Sequence, residues 1–182
     1  MQINILLMRK LTMEELNRKS VEEFKDSEKH QVIAVLENIR SAYNVGSVFR
    51  TADAFLIESI YITGYTAKPP HKEITKTALG AQETVDWQFF QTTESAIEGL
   101  KRNGYKVYAV EQATGSISLE NFYDLNVEKM AFIFGNEVGG VEHETISLCD
   151  GCVEIPQFGM KHSLNISVAA GIVLWEAVKN KH

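Results

Sequence analysis

Two runs of consecutive apolar residues constrain this chain more than any other feature: Val32-Ile33-Ala34-Val35-Leu36 and Ala131-Phe132-Ile133-Phe134. A strand with one wet face alternates apolar and polar residues, whereas a run with no polar member belongs to a strand covered on both faces, as in a parallel sheet flanked by helices. The surrounding sequence alternates strand-like and helix-like patterns. Strands are predicted over 31–36, 57–62, 84–90, 105–110, 130–134 and 152–155. Helices are predicted over about 45–55, 71–79, 92–102 and 164–178, the last apolar almost all round. Thr12-Met13-Glu14-Glu15 has the form of a capping box and predicts a further helix over 12–24. The fold class is therefore α/β, a mostly parallel sheet flanked by helices. Such sheets take their ligands beyond the carboxyl ends of the strands.

Composition narrows the class further. With 182 residues, 45% of them hydrophobic, the chain has the size and apolar content of one domain with a substantial core. Its longest apolar run, 168–175, is far short of the ~20 residues a membrane helix needs. Arg9 and Lys10 follow a short apolar patch, the reverse of a signal peptide's order, so a cytoplasmic protein with no membrane association is expected. The net charge is −6, yet residues 111–150 alone carry eight acidic residues and one lysine, leaving the remainder at +1. Lys68, His71, Lys72 and Lys76 against Glu73 leave room for a local basic surface. The lone Cys149-Asp150-Gly151-Cys152 lacks a second cysteine pair for zinc and leads into a strand rather than a helix, so it reads as two semi-buried, inert thiols, and no metal is expected.

Three stretches carry residues that a scaffold does not need. In Asn38-Ile39-Arg40-Ser41-Ala42-Tyr43-Asn44-Val45-Gly46-Ser47-Val48-Phe49-Arg50-Thr51-Ala52-Asp53, a buried strand opens into a loop and then a helix whose second turn projects Arg50 back toward that loop. Taken alone this also reads as scaffold, with Asn44 as helix N-cap and Arg50 paired with Asp53. In Phe134-Gly135-Asn136-Glu137-Val138-Gly139-Gly140-Val141 an apolar strand runs into glycines that allow a close backbone approach or a tight turn. It matches neither the P-loop nor the dinucleotide fingerprint, which argues against an unrelated nucleotide-binding enzyme. In Glu154-Ile155-Pro156-Gln157-Phe158-Gly159-Met160-Lys161-His162-Ser163-Leu164-Asn165-Ile166-Ser167, a strand ends at a proline and Ser163 is the expected cap of the final helix.

In this order and spacing, the three stretches resemble the motifs of the SpoU/TrmH-type ribose 2′-O-methyltransferases of the SPOUT superfamily. The matching residues are Asn44…Arg50-Thr51-Ala52-Asp53, then Phe134-Gly135-Asn136-Glu137-x-x-Gly, then Ile155-Pro156…Gly159…Ser163-Leu164-Asn165-Ile166-Ser167. The likeness runs from about residue 31 to the end and implies a methyltransferase domain over 31–182 preceded by a short helical extension over 1–30. It further implies S-adenosylmethionine as methyl donor, a C-terminal trefoil knot that general topology rules would exclude, and a homodimer with each active site between subunits. The implied substrate is structured RNA, tRNA ahead of rRNA. Glu111-Gln112-Ala113-Thr114-x-Ser116-x-x-Leu119 and Glu154-Ile155-Pro156-Gln157 are most similar to the tRNA enzymes that methylate a D-loop guanosine. An rRNA 2′-O-methyltransferase and a catalytically degenerate RNA-binding module are the rival readings.

By the same resemblance, Arg50, Asn44, Glu137, Ser163 and Asn165 form the catalytic cluster. Arg50 is either the general base or a fixed cation that grips the adjacent phosphate. Guanidinium groups hold their proton throughout the range in which proteins work, which favours the cation. Asn44 orients Arg50 or the ribose, and Glu137 holds a loop or a partner such as Arg40. The donor falls among Val110, Glu111, Gly135, Asn136, Ile155, Pro156, Ser163 and Leu164, where backbone amides do the recognising and apolar side chains wall the ring. Arg40, Lys68, Lys72, Lys161 and His162 are the candidates for RNA contact.

Overall fold

The computed structural model describes residues 9–125, 127–160 and 163–181; the apolar patch ahead of Arg9, and both Lys161 and His162, lie outside the described residues. Among the described residues there are seven strands: β1 (His30–Glu37), β2 (Ile57–Thr63), β3 (Asp86–Phe90), β4 (Lys106–Val110), β5 (Ile117–Ser118), β6 (Met130–Phe134) and β7 (Gly151–Glu154). They form one sheet in the order β3-β2-β1-β6-β4-β7-β5, and every strand pairing in it is parallel. The helices are α1 (Val21–Asp26), α2 (Ala42–Ala54), α3 (Lys72–Ala78), α4 (Ala81–Thr84), α5 (Thr93–Arg102), α6 (His143–Leu148) and α7 (Ile166–Val178), with a 3-10 turn over Leu119–Leu125.

The apolar runs are explained by two cores, one on each face of the sheet. Successive side chains of a strand point to opposite faces. Val32, Ala34 and Leu36 of β1 join Phe132 and Phe134 of β6 in the core under α2 and α7. Ile33 and Val35 join Ala131 and Ile133 in the second core, with Ala96, Ile97 and Leu100 of α5. Both layers exclude water, so neither run admits a polar residue, and the first to follow on β1 is the buried Glu37 at its carboxyl end.

Several boundaries differ from the sequence reading, each for a local reason. The Thr12 capping box forms, with the Glu15 N–H donating to Thr12 Oγ1 at 3.3 Å and Thr12 N–H to Glu15 Oε2 at 2.8 Å. It nevertheless yields only a turn, because Asn17 is left-handed (φ 42°) and the stretch is exposed. The helix starts afresh at a second capping box, Ser20 with Glu23. Ser41, not Asn44, caps α2, and Asn165, not Ser163, caps α7. Residues 81–84 form α4, so the third strand begins at Asp86. The two-residue β5 and six-residue α6 are too short to show a period, and periodicity does not predict them. No helix among the described residues is long and apolar enough to cross a membrane.

Helix α2 is drawn close to α3 at Gly46, where a Cβ would lie 2.2 Å from Thr77 Oγ1 and 2.4 Å from the Ile74 carbonyl oxygen. This contact decides the sign of a substitution. Gly46→Ala gains about 1 kcal/mol of helix propensity but overpacks against backbone, typically a cost of about 1–3 kcal/mol. Gly46→Ala is therefore expected to lower stability by about 1 kcal/mol in urea denaturation, whereas a surface helical Gly→Ala change would raise it.

Candidate active site

The carboxyl ends of β1, β4, β6 and β7 release four loops onto one side of the sheet, and the three motif stretches are on three of them. The loop after β6 doubles back tightly: Asn136 and Gly140 exchange backbone hydrogen bonds of 2.9 and 2.8 Å. Gly135 cannot be replaced without moving this turn, since its Cβ would lie 2.1 Å from the Gly140 carbonyl carbon. Gly140 is left-handed (φ 68°), and its Cβ would meet Glu111 Oε2 at 2.1 Å. The Glu111 carboxylate accepts from the N–H of Val141 at 3.1 Å and of Gln112 at 2.9 Å, latching the end of β4 to this loop. Asn136 uses its side chain internally: Oδ1 accepts from the N–H of Val138 and Gly139, and Nδ2 donates to the Asn38 carbonyl at 2.8 Å and to Tyr65 Oη at 2.5 Å.

Glu137 is the centre of the arrangement. Its carboxylate accepts from Arg40 N–H at 2.9 Å, Ser41 N–H at 3.1 Å and Asn44 Nδ2 at 3.0 Å. Asn44 Oδ1 in turn accepts from Asn165 Nδ2 at 3.2 Å, and Asn165 Oδ1 accepts from the Ser167 N–H at 2.9 Å, capping α7. One polar chain thus joins all three motif stretches. Partial burial acts to raise the Glu137 pKa, but the donors from Arg40, Asn44 and Ser41 outweigh it and hold the carboxyl below its usual value. Glu137 holds Arg40 through the backbone, and the Arg40 side chain is exposed.

Beside this chain lies a cleft of about 490 Å³, within the range of small-molecule sites. Val110, Glu111, Gly135, Asn136, Glu137, Ile155, Ser163, Leu164 and Asn165 line it; Pro156, although it stands between the lining residues Ile155 and Gln157, does not. Gln112, Gly139, Gly140, Gln157 and Ala169 also line it; all but Ala169 fall in stretches singled out in the sequence, yet none of the five is named as a site residue there. Apolar walls, a glycine-rich backbone and a few carboxamide and hydroxyl groups fit a ligand with a flat heteroaromatic ring and a charged amino-acid end. A cleft of about 550 Å³ at the amino ends of β1 and β6, lined by Lys29, His30, Met130 and Glu176, holds none of the motif residues.

Arg50 is not in the cleft. It is exposed on the third turn of α2 and borders an adjacent depression with Ser47, Thr51, Lys76 and Ser167. Its side chain makes no hydrogen bond or ion pair with the described residues, and Asp53, the partner that a scaffold role would give it, instead accepts from Thr84 Oγ1 at 2.6 Å. The depression meets the polar chain at Ser167, whose Oγ donates to Asn165 Oδ1 at 2.7 Å. Lys68 is exposed and lies 3.6 Å over the Phe89 ring; Lys72 is exposed at the start of α3. The two cysteines are held inert, with burial pushing the Cys149 thiol up to about 12 and Cys152 in the same direction.

Two further residues organise the loops. Glu37, fully buried, accepts from Glu142 N–H at 2.9 Å and Thr145 Oγ1 at 2.5 Å, holding the start of α6. Asn38 is left-handed (φ 53°) and donates to Glu142 Oε1 at 2.6 Å. The signal for Glu37 in the sequence is an acidic residue ending an otherwise unbroken apolar strand.

Because Glu137 faces three donors, Glu137→Gln must turn an NH2 group toward one of them. A loss of about 1 kcal/mol in unfolding free energy is expected at pH 7. A carboxyl with a depressed folded pKa contributes stability that is present above the unfolded value and is lost as pH falls through the folded value. The stability gap between wild type and Glu137→Gln, followed by urea denaturation, should therefore be full at pH 7 and close as pH falls below about 4.

The model of the SpoU rRNA Methylase family matches residues 31–175. The tRNA (guanosine(18)-2′-O)-methyltransferase of Thermus thermophilus is 30% identical over 168 residues, spanning 92% of this chain and 84% of that protein. The corresponding Aquifex aeolicus enzyme is 28% identical over 167 residues, spanning 90% of this chain and 76% of that protein. Among solved structures, the AdoMet-bound rRNA methyltransferase of Sinorhizobium meliloti superposes with a TM-score of 0.77 at 28% identity, over 86% of this chain and 59% of that one. The match spans the whole sheet and all three motif loops, and the chain belongs to the SpoU methyltransferase family.

Proposed function

We propose that this protein transfers a methyl group from S-adenosylmethionine to a ribose 2′-hydroxyl of structured RNA, tRNA ahead of rRNA, with a D-loop guanosine as the target. The observation that carries this reading is the Glu137–Asn44–Asn165 chain along the glycine-built cleft, in a chain of this family. The tRNA preference rests on the naming of the Thermus and Aquifex relatives. Residues 31–182 are the methyltransferase domain and 1–30 an extension, in keeping with the start of the family match at residue 31.

Val110, Glu111, Gly135, Asn136, Ile155, Pro156, Ser163 and Leu164 would hold the donor. When bound, the donor supplies an electrophilic methyl group on a positively charged sulfur that leaves as a neutral thioether. The chain's own residues must align the hydroxyl and stabilise its charge. Asn44 and Asn165, locked to Glu137, fix the groups that face the hydroxyl, and such positioning supplies much of the rate in a transfer of this kind. Ser163 hydrogen-bonds the hydroxyl or the donor's amino-acid end. Arg50, free of any carboxylate among the described residues, grips the phosphate beside the target ribose in a bidentate pair and stabilises the negative charge growing on the 2′-oxygen. The hydroxyl proton passes to water on the open side of the depression. Arg40, Lys68, Lys72, Lys161 and His162 contact phosphates farther along the RNA.

The active enzyme is a homodimer in the cytoplasm. An apolar stripe supports the dimer: Leu164, just before α7, and Val168, Ile172 and Trp175 on it are 39%, 50%, 38% and 48% exposed. The knot has its support in the strand order, since β6 enters between β1 and β4, and β7 between β4 and β5.

Transfer of labelled methyl from S-adenosylmethionine to bulk tRNA and to rRNA, followed by nuclease mapping, tests the reading. Label is expected on a ribose of tRNA, with Arg50→Ala reducing turnover about 100-fold or more and Arg50→Lys keeping a measurable part. Equal loss in both variants would count against the fixed-cation role. Label on a base, or on neither RNA, would overturn the reaction itself.

A further inference from the structure

Tyr65 is 64% exposed, yet it is held at three points. Its N–H donates to Asn38 Oδ1 at 3.3 Å. The next residue, Thr66, is buried and anchored at both ends of its hydroxyl: Oγ1 accepts from Ile39 N–H at 2.8 Å and donates to the Leu36 carbonyl at 3.1 Å. The phenol oxygen accepts from Asn136 Nδ2 at 2.5 Å. Gly64, just before it, is left-handed (φ 62°) and leaves no space for a side chain, because a Cβ there would lie 1.9 Å from Asn38 Oδ1. The backbone is therefore fixed on both sides and the ring is fixed at its tip, while the residue stays largely exposed to solvent. An immobilised, unburied aromatic ring gives little to stability, since it covers no core and its hydroxyl exchanges one partner for water.

The location of the ring suggests what it does. Asn136, which holds the ring, immediately precedes Glu137, and the two side chains clasp the same short segment: Asn136 bonds the Asn38 carbonyl, and Glu137 bonds the N–H groups of Arg40 and Ser41. Tyr65 is thus one hydrogen bond from the loop that sets Asn44 in place. Exposed cations stand on both chain segments that meet here: Arg40 follows Asn38 and Ile39, which bond Tyr65 and Thr66, and Lys68 follows the tyrosine by three residues. An aromatic face flanked by cations is how proteins receive an unpaired base: the ring stacks on the base and the cations meet the phosphates.

We propose that Tyr65 is the platform on which the base of the methylated nucleotide stacks. The inference rests on the RNA ribose methyltransferase reading and deepens it, since a ribose presented to Asn44 and Arg50 must have its base parked nearby. Stacking uses the π-face that every base possesses, so Tyr65 contributes affinity and positioning without choosing among bases.

The test uses the full chain and an aromatic series, Tyr65→Phe, Tyr65→Trp, Tyr65→Leu and Tyr65→Ala. The readouts are filter binding of bulk tRNA and rRNA without donor, labelled methyl transfer, donor binding by calorimetry, and sedimentation velocity. Tyr65→Leu and Tyr65→Ala are expected to weaken RNA binding and raise the KM for RNA about tenfold. Tyr65→Phe and Tyr65→Trp should stay within about threefold of wild type, because they keep a ring to stack on. Donor affinity and sedimentation coefficient should not change across the series. If Tyr65→Phe falls as far as Tyr65→Ala, the hydroxyl tether to Asn136 is the whole role and the proposal is overturned. Unchanged RNA binding in Tyr65→Ala, or a shift in sedimentation that matches the loss, overturns it as well. A wild-type enzyme that methylates neither RNA defeats the functional reading, and this inference with it.

Discussion

Three segments, the first about half the chain away from the other two, meet at the candidate active site, and a single carboxylate brings them together. Glu137 accepts from two successive backbone N–H groups and from the Asn44 amide, and Asn44 passes the connection on to Asn165. The sequence separations are 97, 96, 93 and 121 residues. Bonds to a charged acceptor are stronger than neutral ones, and a partner lost here leaves several donors unmet at once. Because Asn165 also caps α7, the same chain sets where the last helix begins. The geometry of the candidate site and the start of the helix carrying the apolar stripe are therefore one structural fact.

The sheet makes this convergence available. A parallel arrangement points every carboxyl end the same way, and the order β3-β2-β1-β6-β4-β7-β5 sets the ends of β1, β6, β4 and β7 side by side. Two dry cores fix these strands, and the loops above them carry the polar residues. Within those loops, Glu111 against Gly140 and Glu37 against Thr145 act as latches from strand ends to the following turns. The cleft is thus walled by the backbone of a turn that cannot easily move. Arg50 stands outside that rigid set, exposed on α2 at the edge of the neighbouring depression.

The sheet and both cores are legible in the sequence because a continuous apolar run of strand length, set among helical patterns, calls for cover on both faces. The cleft is legible from the glycines after β6 and from the motif order. What escapes is decided by partners far away in sequence. Asn44 and Ser41 are both good N-cap residues, and Ser41 takes the cap because the Asn44 amide is engaged by Glu137 and Asn165. Ser163 and Asn165 pose the same choice at α7. The Thr12 capping box forms as a local motif, but a box alone does not sustain a helix without an apolar face to bury. Helix α6 has six residues and is held by the buried Glu37 carboxylate, which no periodicity could announce. The motif spacing turns Arg50 back toward the Asn44 loop; the helix begins about a turn earlier than its pattern suggests, and Arg50 instead borders the neighbouring depression.

Glu137 and Asn165 act as one unit through Asn44, although nothing joins them directly among the described contacts. A double-mutant cycle of Glu137→Ala and Asn165→Ala, read as unfolding free energy in urea, tests this most directly. A coupling of about 0.5 kcal/mol or more is predicted, with the second substitution costing less once the first is present. The coupling should vanish in an Asn44→Ala background. Strict additivity of the two substitutions in the wild-type background would contradict the linkage.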